Sequence, residues 1–189
     1  MTVSQDIANA IEVLKKGGVI LYPTDTVWGI GCDATNSEAV ARVYAIKQRE
    51  DSKALICLVD SDARLQRYFR VVPNVAWELL DCVVKPTTVV LDDAVNLAPN
   101  LLAEDGSVGM RITQEPFSKE LCYRFQKAIV STSANISGED TPKCFRDISE
   151  EIAGSVDYVV PQRLERGASG RASQIIKVGL GSEIEVIRP

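Results

Sequence analysis

Two short polar runs carry residue types suited to nucleotide chemistry. Lys47-Gln48-Arg49, followed by Lys53, groups three cations, as a polyphosphate clamp requires. Arginine offers a two-pronged fork and lysine a point charge. The same charges would also suit a helix C-terminus, where cations meet the negative end of the macrodipole. Ser133-Ala134-Asn135 lies in a dense run of small donors and acceptors, Ser131 to Gly138, directly after the apolar Ala128-Ile129-Val130. The end of a buried strand is where α/β proteins place ligands; a Ser-rich turn has the same composition.

Three further runs could contribute. In Tyr22 to Gly31, Thr24, Asp25 and Thr26 could bind polar substrate groups, with two glycines allowing close approach, or could form a plain Pro-Thr-Asp turn. Ser107, Gly109 and Arg111 alternate and so share one face of a strand. Arg111, among apolar neighbours, calls for an anionic partner, either a substrate carboxylate or a structural ion pair. Gln162 to Arg171, with Ser173 beyond, is a basic loop that could cover anions or RNA, or simply face solvent.

Composition narrows the chemistry. The 189 residues contain no histidine, which excludes a Ser-His-Asp triad, a Cys-His pair and His-ligated metal. Acid–base work would fall to Lys, Tyr, Asp, Glu or the substrate. The five cysteines form no Cys-x-x-Cys pair, so neither zinc nor a disulfide framework is indicated; Cys32 and Cys57 read as small buried hydrophobes. A net charge of -5 argues against nucleic-acid binding as the main task. No run reaches the roughly 18 apolar residues a membrane span needs. The N-terminus lacks a signal-peptide pattern, so a cytoplasmic location with no membrane partner is the expectation.

The positioning elements follow from periodicity. Helices are expected with Ile7, Ala10, Ile11 and Leu14 on one face, capped by Ser4 and closed by Gly17-Gly18, and from Asn36 or Ser37, delivering Lys47 and Arg49 at its end. Further helices are expected over 63–68, 74–82, 117–127 and 145–153, with a helical turn at 99–103. Strands are expected over 19–22, 27–32, 54–59, 87–91, 106–112, 128–131, 158–160, 174–178 and 184–187. This alternation predicts an α/β class with a mixed sheet in a single domain, 1–189.

Taken in order, these segments resemble the YrdC-type threonylcarbamoyl-AMP synthase family, from about Ile7 to Arg188. The resemblance rests on Gly17-Gly18, Pro23 to Gly31, Lys47/Arg49 with Lys53-Ala54-Leu55, Pro86-Thr87-Thr88, Ser107 to Arg111, and Ser133/Asn135 within Ser131 to Gly138. It implies a twisted, partly antiparallel mixed sheet flanked by helices around an open cavity, a YrdC/RibB-like architecture. It implies an L-threonylcarbamoyladenylate synthase that joins L-threonine, bicarbonate or carbon dioxide, and ATP (with Mg²⁺), releasing diphosphate. Partner enzymes would pass the threonylcarbamoyl group to tRNA. By resemblance, Thr26, Arg111, Ser133 and Ser173 hold threonine, and Lys47, Arg49, Lys53, Ser107, Asn135 and Arg188 face ATP. Lys47, Arg49 and Asn135 carry the catalytic role, and no protein-held metal is implied. Four positions depart from the family pattern: Trp28 for tyrosine, Leu58 for histidine, Ala54 for proline, and Gln174 in a Ser-Thr pair. The chain stops at Pro189, where longer members add a domain.

Two other readings remain open. One is a non-catalytic module of the same fold that binds tRNA or rRNA; the Ser133-Ala134-Asn135 run argues for catalysis instead. The other is carbamoyl-adenylate chemistry, as in the related hydrogenase-maturation domain, which normally comes with further domains.

Overall fold

The computed structural model describes residues 2–48 and 55–189. Arg49, Lys53 and Ala54 lie outside the described residues.

Helix α1 (Val3–Lys15) buries Ile7, Ala10 and Leu14 on one face. Its cap is Thr2, whose hydroxyl accepts from the Gln5 N–H, rather than Ser4. Ser4 falls inside the first turn and meets Arg124 instead. Gly17, at φ 76°, ends the helix in the left-handed region. Strands β1 (Ile20–Tyr22) and β2 (Gly29–Gly31) flank the Pro23 to Trp28 turn. Asn36 caps α2 (Ser37–Ile46) by accepting from the N–H groups of Glu38 and Ala39. Lys47 is the residue that closes α2.

After β3 (Ile56–Val59) come α3 (Asp62–Gln66), α4 (Asn74–Cys82) and β4 (Thr87–Leu91). A 3-10 turn at Pro99–Leu101 precedes β5 (Val108–Ile112). Helix α5 (Pro116–Phe125), capped by Glu115, leads into β6 (Ile129–Ser133). The helix expected over 145–153 is two pieces, a 3-10 turn Phe145–Asp147 and α6 (Glu150–Ser155). Ser149 breaks it by capping the second piece, its hydroxyl accepting from the Ile152 N–H. Strands β7 (Tyr158–Val159), β8 (Gln174–Val178) and β9 (Ile184–Arg188) complete the order.

Among the described residues the strands form one nine-stranded sheet in the order β7-β1-β2-β6-β3-β5-β4-β8-β9. Pairs β1/β7, β3/β5 and β4/β8 are parallel, and the other five are antiparallel. The expected mixed, partly antiparallel α/β sheet is what the chain forms. Cys57, Val89, Met110 and Val130 are fully buried in a continuous apolar core. The residues alternating with them, Ile56, Arg111 and Ser131, line a cavity. Period 2 therefore gives each central strand one dry face and one face for ligand. Cys32 and Cys57 are free and buried, as expected, and so is Cys122. No helix among the described residues is long and apolar enough to cross a membrane.

Candidate functional site

The cavity has a volume of about 260 Å³. Its polar lining comes from distant parts of the chain: Thr26, Arg111, Ser131, Ser133, Ser173 and Arg188. Thr26, Arg111, Ser133, Ser173 and Arg188 are sequence-expected site residues, and the sheet brings them together. Lys47, Ser107 and Asn135 are also buried but are not among the lining residues.

Arg111 is only 2% exposed on β5. One terminal nitrogen pairs with Asp25 Oδ1 at 2.9 Å and donates to the Thr26 hydroxyl at 3.2 Å. Its Nε is buried and has no hydrogen-bond partner among the described residues. A buried guanidinium nitrogen left unpaired is costly, by about 1–3 kcal/mol or more for a charged group. Of the two anionic partners that the sequence leaves open for Arg111, the chain supplies one, Asp25. The free Nε is the donor left for the other.

The Thr24–Thr26 turn is pre-organised by its own hydroxyls. Thr24 Oγ1 donates to the Val27 carbonyl at 2.7 Å and accepts from the Thr26 N–H at 3.2 Å. The glycines beside it are enforced by contact. A Cβ on Gly31 would stand 2.3 Å from the Val130 carbonyl oxygen, and one on Gly29 would stand 3.1 Å from Ser131 Oγ.

On the opposite wall, Ser173 Oγ and Thr88 Oγ1 share a hydrogen bond of 2.8 Å. Arg188 donates through Nε to the Ser173 carbonyl at 2.7 Å. Its pKa is lowered, first by partial desolvation and then by the charge of Arg111. Two guanidinium groups on one cavity repel each other, and an anion between them would relieve that repulsion.

Lys47 leaves the end of α2 and reaches the Ser133–Asn135 turn. Its ammonium donates to the Ser133 carbonyl at 2.6 Å and also to the Asn135 carbonyl. The backbone returns the contact, since the Ser137 N–H donates to the Lys47 carbonyl at 3.0 Å. Asn135 spends both amide hydrogens on the carbonyls of Ile136 and Glu139, at 2.9 and 3.0 Å. That fixes its orientation and leaves Oδ1 buried and without a partner among the described residues. The turn thus holds one orphan acceptor and the Arg111 region one orphan donor.

The Ser107 N–H donates to the Asp105 carboxyl at 3.0 Å. Of the departures from the family pattern, Trp28 lines the cavity, Leu58 is fully buried in register with Arg111, and Gln174 opens β8 opposite Thr87. Sequence reasoning gave Thr88 no role of its own. The available signal was a hydroxyl among the apolar residues of β4. It also missed Glu165, which no local pattern marks.

A family model described as "Telomere recombination", for Sua5, YciO and YrdC, matches residues 12–189. A threonylcarbamoyl-AMP synthase of Pseudoalteromonas translucida is 35% identical over 167 residues, covering 87% of this chain and 89% of that protein. One of Acinetobacter baumannii is 30% identical over 194 residues, covering 99% and 100%. Among solved structures, P. abyssi Sua5 complexed with L-threonine is similar with a TM-score of 0.83 at 24% identity. That match covers 91% of this chain, which spans 50% of the Sua5 chain. E. coli YciO is similar with a TM-score of 0.82 at 24% identity, covering 97% and 88%. These two likenesses concern the fold.

Proposed function

This chain belongs to the Sua5/YciO/YrdC family, and from that premise we propose that its cavity makes threonylcarbamoyl-AMP from L-threonine, bicarbonate or carbon dioxide, and ATP. It is a nucleotidyltransferase-type enzyme, as its relatives' names indicate. The observation that carries the substrate assignment is the buried Nε of Arg111, unpartnered among the described residues, in a guanidinium that lines a hydroxyl-rich cavity.

In this reading the threonine carboxylate takes the Arg111 Nε and leaves the Asp25 pair in place. Thr26, Ser133 and Ser173 supply hydroxyls for the rest of the amino acid. ATP lies toward Arg188 and the Ser133–Asn135 turn, with Lys47, Arg49, Lys53 and Ser107 as its further contacts. Asn135 Oδ1 is the acceptor for a donor group of the nucleotide.

The reaction forms a C–N bond between the threonine amine and the one-carbon unit, giving a carbamate. A carbamate oxygen then attacks the α-phosphorus, and the α–β bridging bond breaks to release diphosphate. From bicarbonate, one water is also lost. Nothing in this sequence needs histidine. The chain positions the carbamate oxygen and neutralises the leaving charge, and such effects supply most of the catalysis in phosphoryl-type transfers. Among the described residues no three His, Cys, Asp or Glu side chains could hold a cation together. Mg²⁺ enters this reading with ATP, as part of the substrate. The product would pass, in the cytoplasm, to enzymes that modify tRNA.

The test is diphosphate release by the purified protein. Release should require ATP, threonine and bicarbonate together. Absence of release, or equal release without threonine, would overturn the reading. Asn135→Ala should abolish product while leaving the fold intact.

A further inference from the structure

We propose that Glu165 is a positioning residue that sets the shape of the cavity wall by holding Trp28 in place; the consequence for turnover rests on the synthase reading. The Glu165 Oε1 atom accepts from the Trp28 indole N–H at 2.7 Å and from the Phe145 backbone N–H at 2.9 Å. Those two groups belong to separate segments, each of which carries a cavity-lining residue, Trp28 in one and Thr141 in the other. Trp28 lines the cavity and is only 1% exposed. Phe145 follows the run that carries Ser133, Asn135 and the cavity-lining Thr141. Glu165 itself opens the stretch that ends at Ala172 and Ser173 on the cavity.

The three segments are joined in other ways that agree with this role. The Trp28 and Phe145 rings meet at 4.9 Å between centroids with a tilt of 58°. Further along the third segment, the Ser169 N–H donates to the Asp25 carbonyl at 3.1 Å and the Gly170 N–H to the Thr26 carbonyl at 2.9 Å. The stretch therefore straps across the Thr24–Thr26 turn, whose Thr26 hydroxyl accepts from Arg111. A buried indole N–H needs an acceptor, and the Phe145 N–H opens a 3-10 turn with no carbonyl of its own turn to meet. One carboxyl oxygen satisfies both. Removing it frees the wall without touching Arg111, Arg188 or Lys47.

The experiment compares Glu165→Ala with Glu165→Gln, each also made in a Trp77→Phe background so that Trp28 is the only fluorophore of its kind. Glu165→Gln keeps an oxygen acceptor and Glu165→Ala does not. In the absence of any substrate, Glu165→Ala should shift Trp28 emission to the red, and Glu165→Gln should not. In the synthase assay, Glu165→Ala should raise the threonine KM about tenfold with kcat within about twofold, as expected when uniform binding is lost through misplacement. Glu165→Gln should recover most of that loss. Unchanged Trp28 emission in Glu165→Ala, an unchanged threonine KM, or equal impairment of both variants would each overturn the proposal. Emission reports on the wall even if the wild-type protein releases no diphosphate, so failure of the synthase reading is told apart from failure of this one.

Discussion

The Lys47 ammonium donates to the Ser133 carbonyl at 2.6 Å, joining residues 86 apart in sequence. Lys47 and the Ser133–Asn135 turn, read from the sequence as two parts of one site, are therefore one bonded unit. A cation at the end of α2 does not only meet its own helix carbonyls, as a lone helix would suggest. It is buried to 2% exposure and used to shape the turn that presents Asn135.

Lys47→Met retains the aliphatic stem and deletes the charge. It leaves the Ser133 and Asn135 carbonyls without their donor, at a cost of about 1–3 kcal/mol. Diphosphate release should be lost and the urea midpoint should fall accordingly. Full turnover in Lys47→Met would remove Lys47 from the site.

Arg111→Lys keeps a charge near Asp25 but removes the planar fork and the free Nε. The threonine KM should rise by roughly 10- to 100-fold. Arg111→Ala should behave differently, because it leaves the buried Asp25 carboxyl unpaired; destabilisation of about 3–5 kcal/mol is expected. Chemical denaturation separates the two. Equal stability of both variants would show that the Asp25 pair contributes little.

Gly31→Ala places a methyl group 2.3 Å from the Val130 backbone oxygen, inside a three-strand contact with no flexible atom to yield. At Gly29 the nearest atom is a serine hydroxyl at 3.1 Å, which can rotate away. Gly31→Ala should lose about 1–3 kcal/mol or more, and Gly29→Ala clearly less. Thermal melts of the two purified variants check the order.

Burial raises the thiol pKa of Cys57 from 9.0 to about 12 and pushes those of Cys32 and Cys122 up as well. A thiol held protonated in the fold keeps its full contribution to stability below the unfolded value of 9.0. That contribution is lost as pH rises from there through the folded value, because the unfolded chain gives up the proton first. Stability should therefore fall above about pH 9. Native protein at pH 8 should expose only Cys82 and Cys144 to a thiol reagent, and all five after denaturation. Rapid labelling of a third thiol in the native state would contradict the buried assignment.

Local order was largely legible in the sequence. The α4 and β4 bounds follow directly from apolar spacing and β-branched content, because the period of burial is written in the chain. So are the Asn36 cap and the Gly17 stop. Two local competitions went the other way. Thr2 and Ser4 are both caps by type; Thr2 takes the position, and Ser4, inside the first turn, accepts from Arg124 instead. Ser149 ends one helical piece by starting another.

For the site, the sequence by itself determined which chemistry was available: grouped cations, dense hydroxyls, one arginine on an apolar strand and no histidine. Tertiary structure alone decided how these are used. Nothing in Asp25 or Thr26 says that they meet Arg111, and nothing in Glu165 says that it holds Trp28 and Phe145. The Thr26–Arg111 and Trp28–Glu165 pairings cross 85 and 137 residues, and the tertiary fold sets them, not local spacing. The same holds for Lys47. Its type and position were visible, but its burial against the Ser133 and Asn135 carbonyls arises only when the fold brings the end of α2 to the end of β6. A buried ammonium must find acceptors, and those carbonyls are the ones the fold brings within reach.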